Sequence, residues 1–436
     1  MAGAHRRVKA YVCRYCLGGA LFFWTWAGVQ AQESRFPLQW GVALQYRFEF
    51  RDNFDWDRTR DDRDGFHLLR TRLQVTWTVA APVQVFLQVQ DARLWGLTVP
   101  DRSPFQNPLD IHQAYLDVRW GPKEAVVLRM GRQKLSYGDE RLLGGFEWSN
   151  VAQAFDAVRL MAKAGAWSFH AFIGRRVVSR PDRLDRWDRQ DTLGGLYVTA
   201  SRPTMTLDLY LLYRHTNRPV LFHSHMEPGT LREPTLGFRF RRPRAPGRWD
   251  ATVEGAFQTG RYGRQDIRAY ALAAIVGYTW DVWGRPRVGL EVDGASGDRN
   301  PQDGVRETFD NLFPTNHPHY GYMDFLGWQN MWDARLVMSL NPHPWWSMEV
   351  NLHRMGLYRT TDALYNAARR AVRLATGPVD SHTVGTEFDA LVRFAPSSRW
   401  QVLAGYSRFW PGAYLRQTGP ADPATFFYGQ VNVTLP

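Results

Sequence analysis

Apolar and polar residues alternate one by one along about eighteen stretches of this chain. From Trp40 to Arg51 one set of positions reads Trp40, Val42, Leu44, Tyr46, Phe48, Phe50, and the other Gly41, Ala43, Gln45, Arg47, Glu49, Arg51. From His67 to Val79 the split recurs, with Leu69, Leu73, Val75, Trp77 and Val79 set against Arg70, Arg72, Gln74, Thr76 and Thr78. Successive side chains of a strand point to opposite faces, whereas a helix has a period of about 3.6. One apolar and one polar face on every strand is what a barrel crossing lipid requires, because the first meets lipid and the second lines the lumen.

This pattern predicts strands at 38–52, 65–80, 82–95, 110–120, 124–133, 154–163, 166–177, 191–202, 204–215, 233–242, 248–259, 266–280, 286–297, 330–340, 344–358, 382–395, 399–410 and 424–435. The links alternate between short and long. The short ones, such as Gly121-Pro122-Lys123, Ala164-Gly165 and Arg202-Pro203, are built on residues that form turns and cannot continue a ladder. The long ones are 53–64, 96–109, 134–153, 178–190, 216–232, 260–265, 298–329, 359–381 and 411–423. The fold expected is all-β: a transmembrane antiparallel up-and-down barrel of about 18 strands, with sixteen as the alternative count. Its short turns belong in the periplasm and its long loops outside, which places the protein in a bacterial outer membrane. Within the loop 359–381, Thr361 and Asp362 can cap a helix, Ala363 to Ala375 is rich in helix formers, and Gly377-Pro378 stops it, so a loop helix is expected over 361–376.

Composition agrees. A mean hydropathy of −0.41 is too polar for a bundle of membrane helices, and no run after residue 31 approaches the roughly 18 apolar residues that a membrane helix needs. The 19 Trp and 18 Tyr suit interfacial girdles. Residues 1–31 read as a secretory signal: a start carrying Arg6, Arg7, Lys9 and Arg14, an apolar stretch from Leu17 to Val29, and cleavage after Ala31. The barrel then occupies 32–436. Both cysteines, Cys13 and Cys16, lie in the signal, so the mature chain offers no disulfide, thiol nucleophile or cysteine-ligated metal.

The formal charge is +12, and removal of four signal cations leaves about +8. All basic residues but Lys9, Lys123, Lys134 and Lys163 are arginine, which pairs carboxylates with a two-pronged fork. The arginines fall on alternate strand positions rather than in one patch, and the chain is exported, so nucleic acid is not the partner. Alternation puts Arg47, Glu49, Arg51, Arg70, Arg72, Arg129, Arg159, Arg239, Arg241, Glu254, Glu291, Asp293, Arg335, Glu349, Glu387, Asp389 and Arg393 on the lumen face.

Signals for catalysis, cofactors or metals are weak. His223 with His225, and His317 with His319, have H-x-H spacing in long loops, and Asp298, Asn300 and Asp303-Gly304 only echo a calcium loop. No P-loop, dinucleotide-binding glycine pattern or H-E-x-x-H motif is present. The expectation is a protein that is not an enzyme and has no cofactor.

The stretch MGRQKLSYGDERLLGGFEWSNVAQAFDAVRL, Met130 to Leu160, resembles the alginate export family of outer-membrane barrels. The matching residues are Gly131-Arg132-Gln133, Tyr137 to Leu142, Trp148, Asn150 and Phe155 to Leu160, with Gly385 to Asp389, Ala404 to Ser407 and Phe409 to Gly412 near the end. The last residues, Thr434-Leu435-Pro436, depart from the aromatic finish usual in such barrels. The resemblance implies an 18-stranded monomer with an arginine-lined pore that passes an anionic uronate polysaccharide, and it makes Arg132, Arg141 and Arg159 pore candidates. Alternation puts Arg132 on the lipid face with Leu128 and Met130. A bulge at Gly131 would turn it inward, and otherwise it lies at the rim. The leading reading is a passive, anion-preferring channel for polysaccharide export. Its partners would be the polysaccharide or small anions, outer-membrane lipid and periplasmic export machinery. A general or carboxylate-uptake porin is the second reading. A barrel with a plugged lumen that serves as an enzyme or adhesin is the third.

Overall fold

The computed structural model describes residues 38–97, 104–222, 225–227 and 229–436. The signal segment and His223 lie outside the described residues.

Eighteen long strands form one closed antiparallel sheet: β1 Leu38–Asp52, β2 Asp64–Ala80, β3 Val83–Trp95, β4 Asn107–Trp120, β5 Val126–Gln133, β6 Phe155–Ala164, β7 Trp167–Val178, β8 Asp191–Arg202, β9 Met205–Thr216, β10 Leu231–Arg242, β11 Arg248–Tyr262, β12 Gln265–Thr279, β13 Arg287–Ala295, β14 Met331–His343, β15 Trp346–Leu357, β16 Thr383–Ser397, β17 Trp400–Pro411 and β18 Ala424–Leu435. Each strand pairs with its neighbours in the chain. The barrel closes where β1 meets β18, from Val42 opposite Leu435 to Asp52 opposite Thr425. Closure leaves no edge, which satisfies the backbone where no water can.

The two faces are those of a barrel in lipid. Arg47 and Glu49 on β1 are 2% and 0% exposed, while Trp40 and Leu44 on the same strand are 64% and 37% exposed. Charge is inside and apolar surface outside. Trp40, Trp77, Trp120, Trp167, Trp249, Trp280, Trp346 and Trp400 all stand exposed at the short-turn ends of their strands. They form the girdle expected at one membrane interface.

Two expectations need correction. The link at 260–265 is a tight turn, because Tyr262 pairs directly with Gln265 across Gly263-Arg264. The helix over 361–376 does not form. The segment makes a small hairpin, Leu364–Tyr365 against Ala371–Arg373, with Leu364 and Tyr365 fully buried. Its polar groups are taken by the loop 296–330. Asp362 accepts from the Asp298 amide at 2.9 Å and the Thr308 hydroxyl at 2.6 Å, the Tyr365 carbonyl accepts from the Gly327 amide, and the Ala367 amide donates to the Asp324 carbonyl. Tertiary bonds override a modest helix propensity. Among the described residues the single α-helix, α1, spans Ala413–Thr418 in the last loop.

Candidate functional site in the lumen

Two long loops, 134–154 between β5 and β6 and 296–330 between β13 and β14, fold into the barrel instead of standing outside it. They are joined backbone to backbone. The Gly144 amide donates to the Phe313 carbonyl, the Phe313 amide to Leu142, and the Thr315 amide to Glu140, each at 2.9 Å. The Thr315 hydroxyl also donates to the Glu140 carboxylate at 2.6 Å. Burial raises the Glu140 pKa from its ordinary value despite hydrogen bonds from Ser136 and Thr315. Leu135, Leu142, Leu143, Phe309, Leu312, Phe313, Tyr320 and Trp328 pack between them. This apolar filling inside a barrel is a plug, anchored to two chemically different walls.

One wall, on β1 to β6, is cationic. Arg72 meets the Glu147 carboxylate at 2.8 Å, Lys134 at 2.8 Å and Arg70 at 3.3 Å. Burial disfavours the Glu147 anion, but the charges of Arg72, Lys134 and Arg70 outweigh it and hold the carboxyl well below the usual range. Arg70 also donates to the carbonyls of Glu147 and Ser149, and Arg47 to that of Trp148. The Trp148 ring carries the Arg47 guanidinium 3.8 Å from its centroid and the stacked His317 ring also at 3.8 Å. A cavity of about 60 Å³ lies against Glu147, lined by Gln45, Arg70, Arg72, Lys134, Gln430 and Asn432.

The facing wall, on β11 to β16, is anionic. Its Glu254, Glu291, Asp293, Asp333, Glu387 and Asp389 are buried. Arg141, 0% exposed, crosses from the loop to this wall, 2.5 Å from Glu291, 3.7 Å from Glu254 and 3.9 Å from Asp293. Arg335 pairs with Glu291 at 3.2 Å and donates to the Pro318 carbonyl, and Glu387 accepts from the Met323 amide at 2.9 Å. Burial and the charge of Arg141 press His319 down to about 3, so it is neutral beside the Asp139 carbonyl, 2.8 Å away.

The residues expected at the pore therefore fall into three groups. Arg47, Arg70, Arg72, Arg141, Glu254 and Glu387 hold the plug. Asp389 lies in the same anionic patch, accepting from Ser407. Arg239 pairs with Asp208 at 2.6 Å and with Asp139 of the plug at 2.9 Å, and Arg51 sits on Glu49 at 2.7 Å near the long-loop end. Arg129, Arg159 and Arg393 are on the lumen face and part-exposed. Arg129 is clamped by Asp117 at 2.7 and 2.8 Å, while Arg159 is held by His170 at 2.9 Å. Among the described residues no carboxylate lies within ion-pair reach of Arg159 or Arg393.

Arg132 is the exception and needs correction as a lumen residue. No register shift occurs at Gly131 in either ladder, so Arg132 keeps to the Met130 side of the wall, opposite Asp156. It pairs with Asp156 at 2.8 Å and donates to the carbonyls of Ile111 and Asp185, at the long-loop rim. Gly131 has φ +125°, and a Cβ there would stand 2.3 Å from the Ala114 carbonyl oxygen. The glycine accommodates a close strand approach rather than a bulge.

His317 and His319 belong to the plug. Among the described residues no three His, Cys, Asp or Glu side chains come together as a metal site. The pattern along the strands did not reveal Glu147, Lys134, Trp148 and Asp139, which sit in a loop. The available signal was the apolar content of that loop, Leu135, Leu142, Leu143 and Phe146, unusual for a segment standing in water.

The family described as alginate export matches residues 36–428. No curated protein matches. Among solved structures, OpdO from Pseudomonas aeruginosa is similar with a TM-score of 0.61 at 12% identity, covering 91% of this chain and 97% of that one. The outer membrane protein opdK of the same organism gives 0.60 at 10%, covering 91% and 99%. OccAB2 of Acinetobacter baumannii gives 0.60 at 10%, covering 91% and 98%. At these identities the likeness is one of fold.

Proposed function

Since this chain belongs to the alginate export family of outer-membrane β-barrels, we propose that it is a passive, anion-preferring channel that exports an anionic, uronate-type polysaccharide. The observation that carries this reading is the surplus of cations on the lumen face of β4 to β6, toward the short-turn end. Asp117 is shared by Arg129 at 2.7 Å and Arg119 at 3.6 Å. Arg159 stands directly opposite Arg129 across the ladder and has no acid of its own among the described residues, and Lys163 follows on the same face, exposed. An electropositive strip in a narrow, low-dielectric passage concentrates anions beyond what net charge suggests. Guanidinium forks suit carboxylates, and weak contacts in series let a chain move on.

The second reading, a porin for small carboxylates, draws on a similar solved structure, Pseudomonas aeruginosa OpdK with vanillate, at 9% identity. Planar-bilayer recordings separate the two. Polysaccharide export expects an anion-selective reversal potential in a salt gradient and current block by oligogalacturonates that strengthens with chain length. Block by benzoate-sized anions alone would favour the porin. A cation-selective or unselective wild type would overturn both.

A further inference from the structure

We propose that Arg70, Arg72 and Lys134 form a carboxylate-binding site for the transported chain, and that the plug residue Glu147 occupies it in the resting protein as a built-in stand-in. The inference rests on the channel reading above and adds to it a site and a way of opening.

Glu147 presents the group that a uronate presents. It belongs to the middle of the inward loop, so it can leave while Arg70 and Arg72 stay on β2 and Lys134 stays beside the last residue of β5, Gln133. Stoichiometry sets this cluster apart. Arg287 with Asp250, and Arg239 with Asp208, are wall arginines matched by wall acids. Here three cations converge on one carboxylate, which leaves a surplus of two positive charges after pairing. The adjoining cavity of about 60 Å³ brings amides to the same place, from Gln45, Gln430 and Asn432. The Gln45 Nε2 is buried and, among the described residues, has no hydrogen-bond partner. A donor without an acceptor beside a surplus of cations is a site built for more acceptor oxygen than Glu147 supplies.

Exchange of one carboxylate for another avoids stranding buried arginines, the step that makes breaking such pairs costly. An arriving uronate can therefore displace Glu147 with little penalty at the cations themselves. Displacement frees the carboxylate end of the segment 147–149, and with it the cargo loosens the plug that blocks its path.

The test is planar-bilayer recording on the purified barrel, with tetragalacturonate as probe and maltotetraose as the neutral control. Glu147→Gln is expected to raise the open-channel conductance severalfold and to be blocked by tetragalacturonate at about tenfold lower concentration than wild type. Maltotetraose should not distinguish the two proteins. Lys134→Gln removes a cation and leaves Glu147 in place, and is expected to need a higher tetragalacturonate concentration for block, which gives a second reading should Glu147→Gln not fold. An anion-selective channel whose conductance and tetragalacturonate sensitivity are unchanged by E147Q, or whose sensitivity is unchanged by K134Q, overturns the site. Loss of anion selectivity in the wild type would instead overturn the channel reading beneath it.

Discussion

Arg129 and Arg159 face each other directly across the β5–β6 ladder, and among the described residues only Arg129 of the two has a carboxylate, Asp117, within reach. Two guanidiniums held side by side with one counter-charge leave unbalanced positive charge on that wall. Replacing both with Glu takes the pair from +2 to −2. Reversal potentials in a salt gradient are expected to move toward cation preference, and oligogalacturonate block should disappear. Lumen substitutions tune selectivity more than stability, so the heat-modifiable folded band on gels should persist. An unchanged anion preference in the folded double variant would make these arginines wall filler.

The inward plug changes which loop residues touch water. Asp182, in the loop after β7, has a side chain 76% exposed, Pro122 lies in a short turn, and Asn316 is buried in the plug. Residues 32–436 carry no cysteine. On whole cells an impermeant thiol reagent should label Asp182→Cys and fail to label both Pro122→Cys and Asn316→Cys. In detergent, Pro122→Cys should become reactive while Asn316→Cys stays protected. Labelling of Asn316→Cys on intact cells would place that loop outside the barrel, and labelling of Pro122→Cys would invert the topology.

The strands were legible because their signal is local. Period-two alternation needs no knowledge of distant residues, and all eighteen strands lie within three residues of where it put them. The interior of the barrel was not legible in this way. Arg72 and Glu147 are separated by 75 positions, and Arg141 and Glu291 by 150, so neither pair leaves a periodic trace. Loops carry no alternation that says whether they point in or out. The same limit misplaced the helix at 361–376, where Asp362 serves Thr308 and Asp298 rather than a helix start. It also left Arg132 undecided, since alternation alone cannot tell a bulge from a glycine at a close strand crossing.

Gly131 is expected to tolerate no side chain. Its φ of +125° is unfavourable for any L-residue, and the Ala114 carbonyl oxygen occupies the place of a Cβ. Gly131→Ala should cost about 1–3 kcal/mol, or shift the register and turn Arg132 away from Asp156. A lowered urea midpoint in detergent micelles would report the first. Gly121→Ala, at φ +82° in an exposed turn with only Val126 nearby at 3.8 Å, should cost less. Equal effects would mean that the close approach at Gly131 contributes nothing.

The loop 179–190 should tighten as pH falls. Asp185 holds it to the barrel: its amide donates to the Asp110 carboxylate at 2.6 Å, and its own carboxylate accepts from the Arg180 amide and from Asn107, both at 2.8 Å. Burial, with the charge of Asp110 adding to it, raises the Asp185 carboxyl to about 6. The folded loop therefore binds a proton more tightly than the unfolded one does. Its hold is strongest below the ordinary carboxylate pKa, weakens as pH rises from about 4 to about 6, and is flat above that. A nitroxide on Arg183→Cys, whose parent side chain is 67% exposed, should lose mobility on acidification from about pH 7 to pH 5. Asp185→Asn, which carries no titrating proton, should abolish the change and leave the label at one mobility throughout. A label that loosens on acidification, or a dependence that survives in the Asn variant, would place the titrating group elsewhere in the loop.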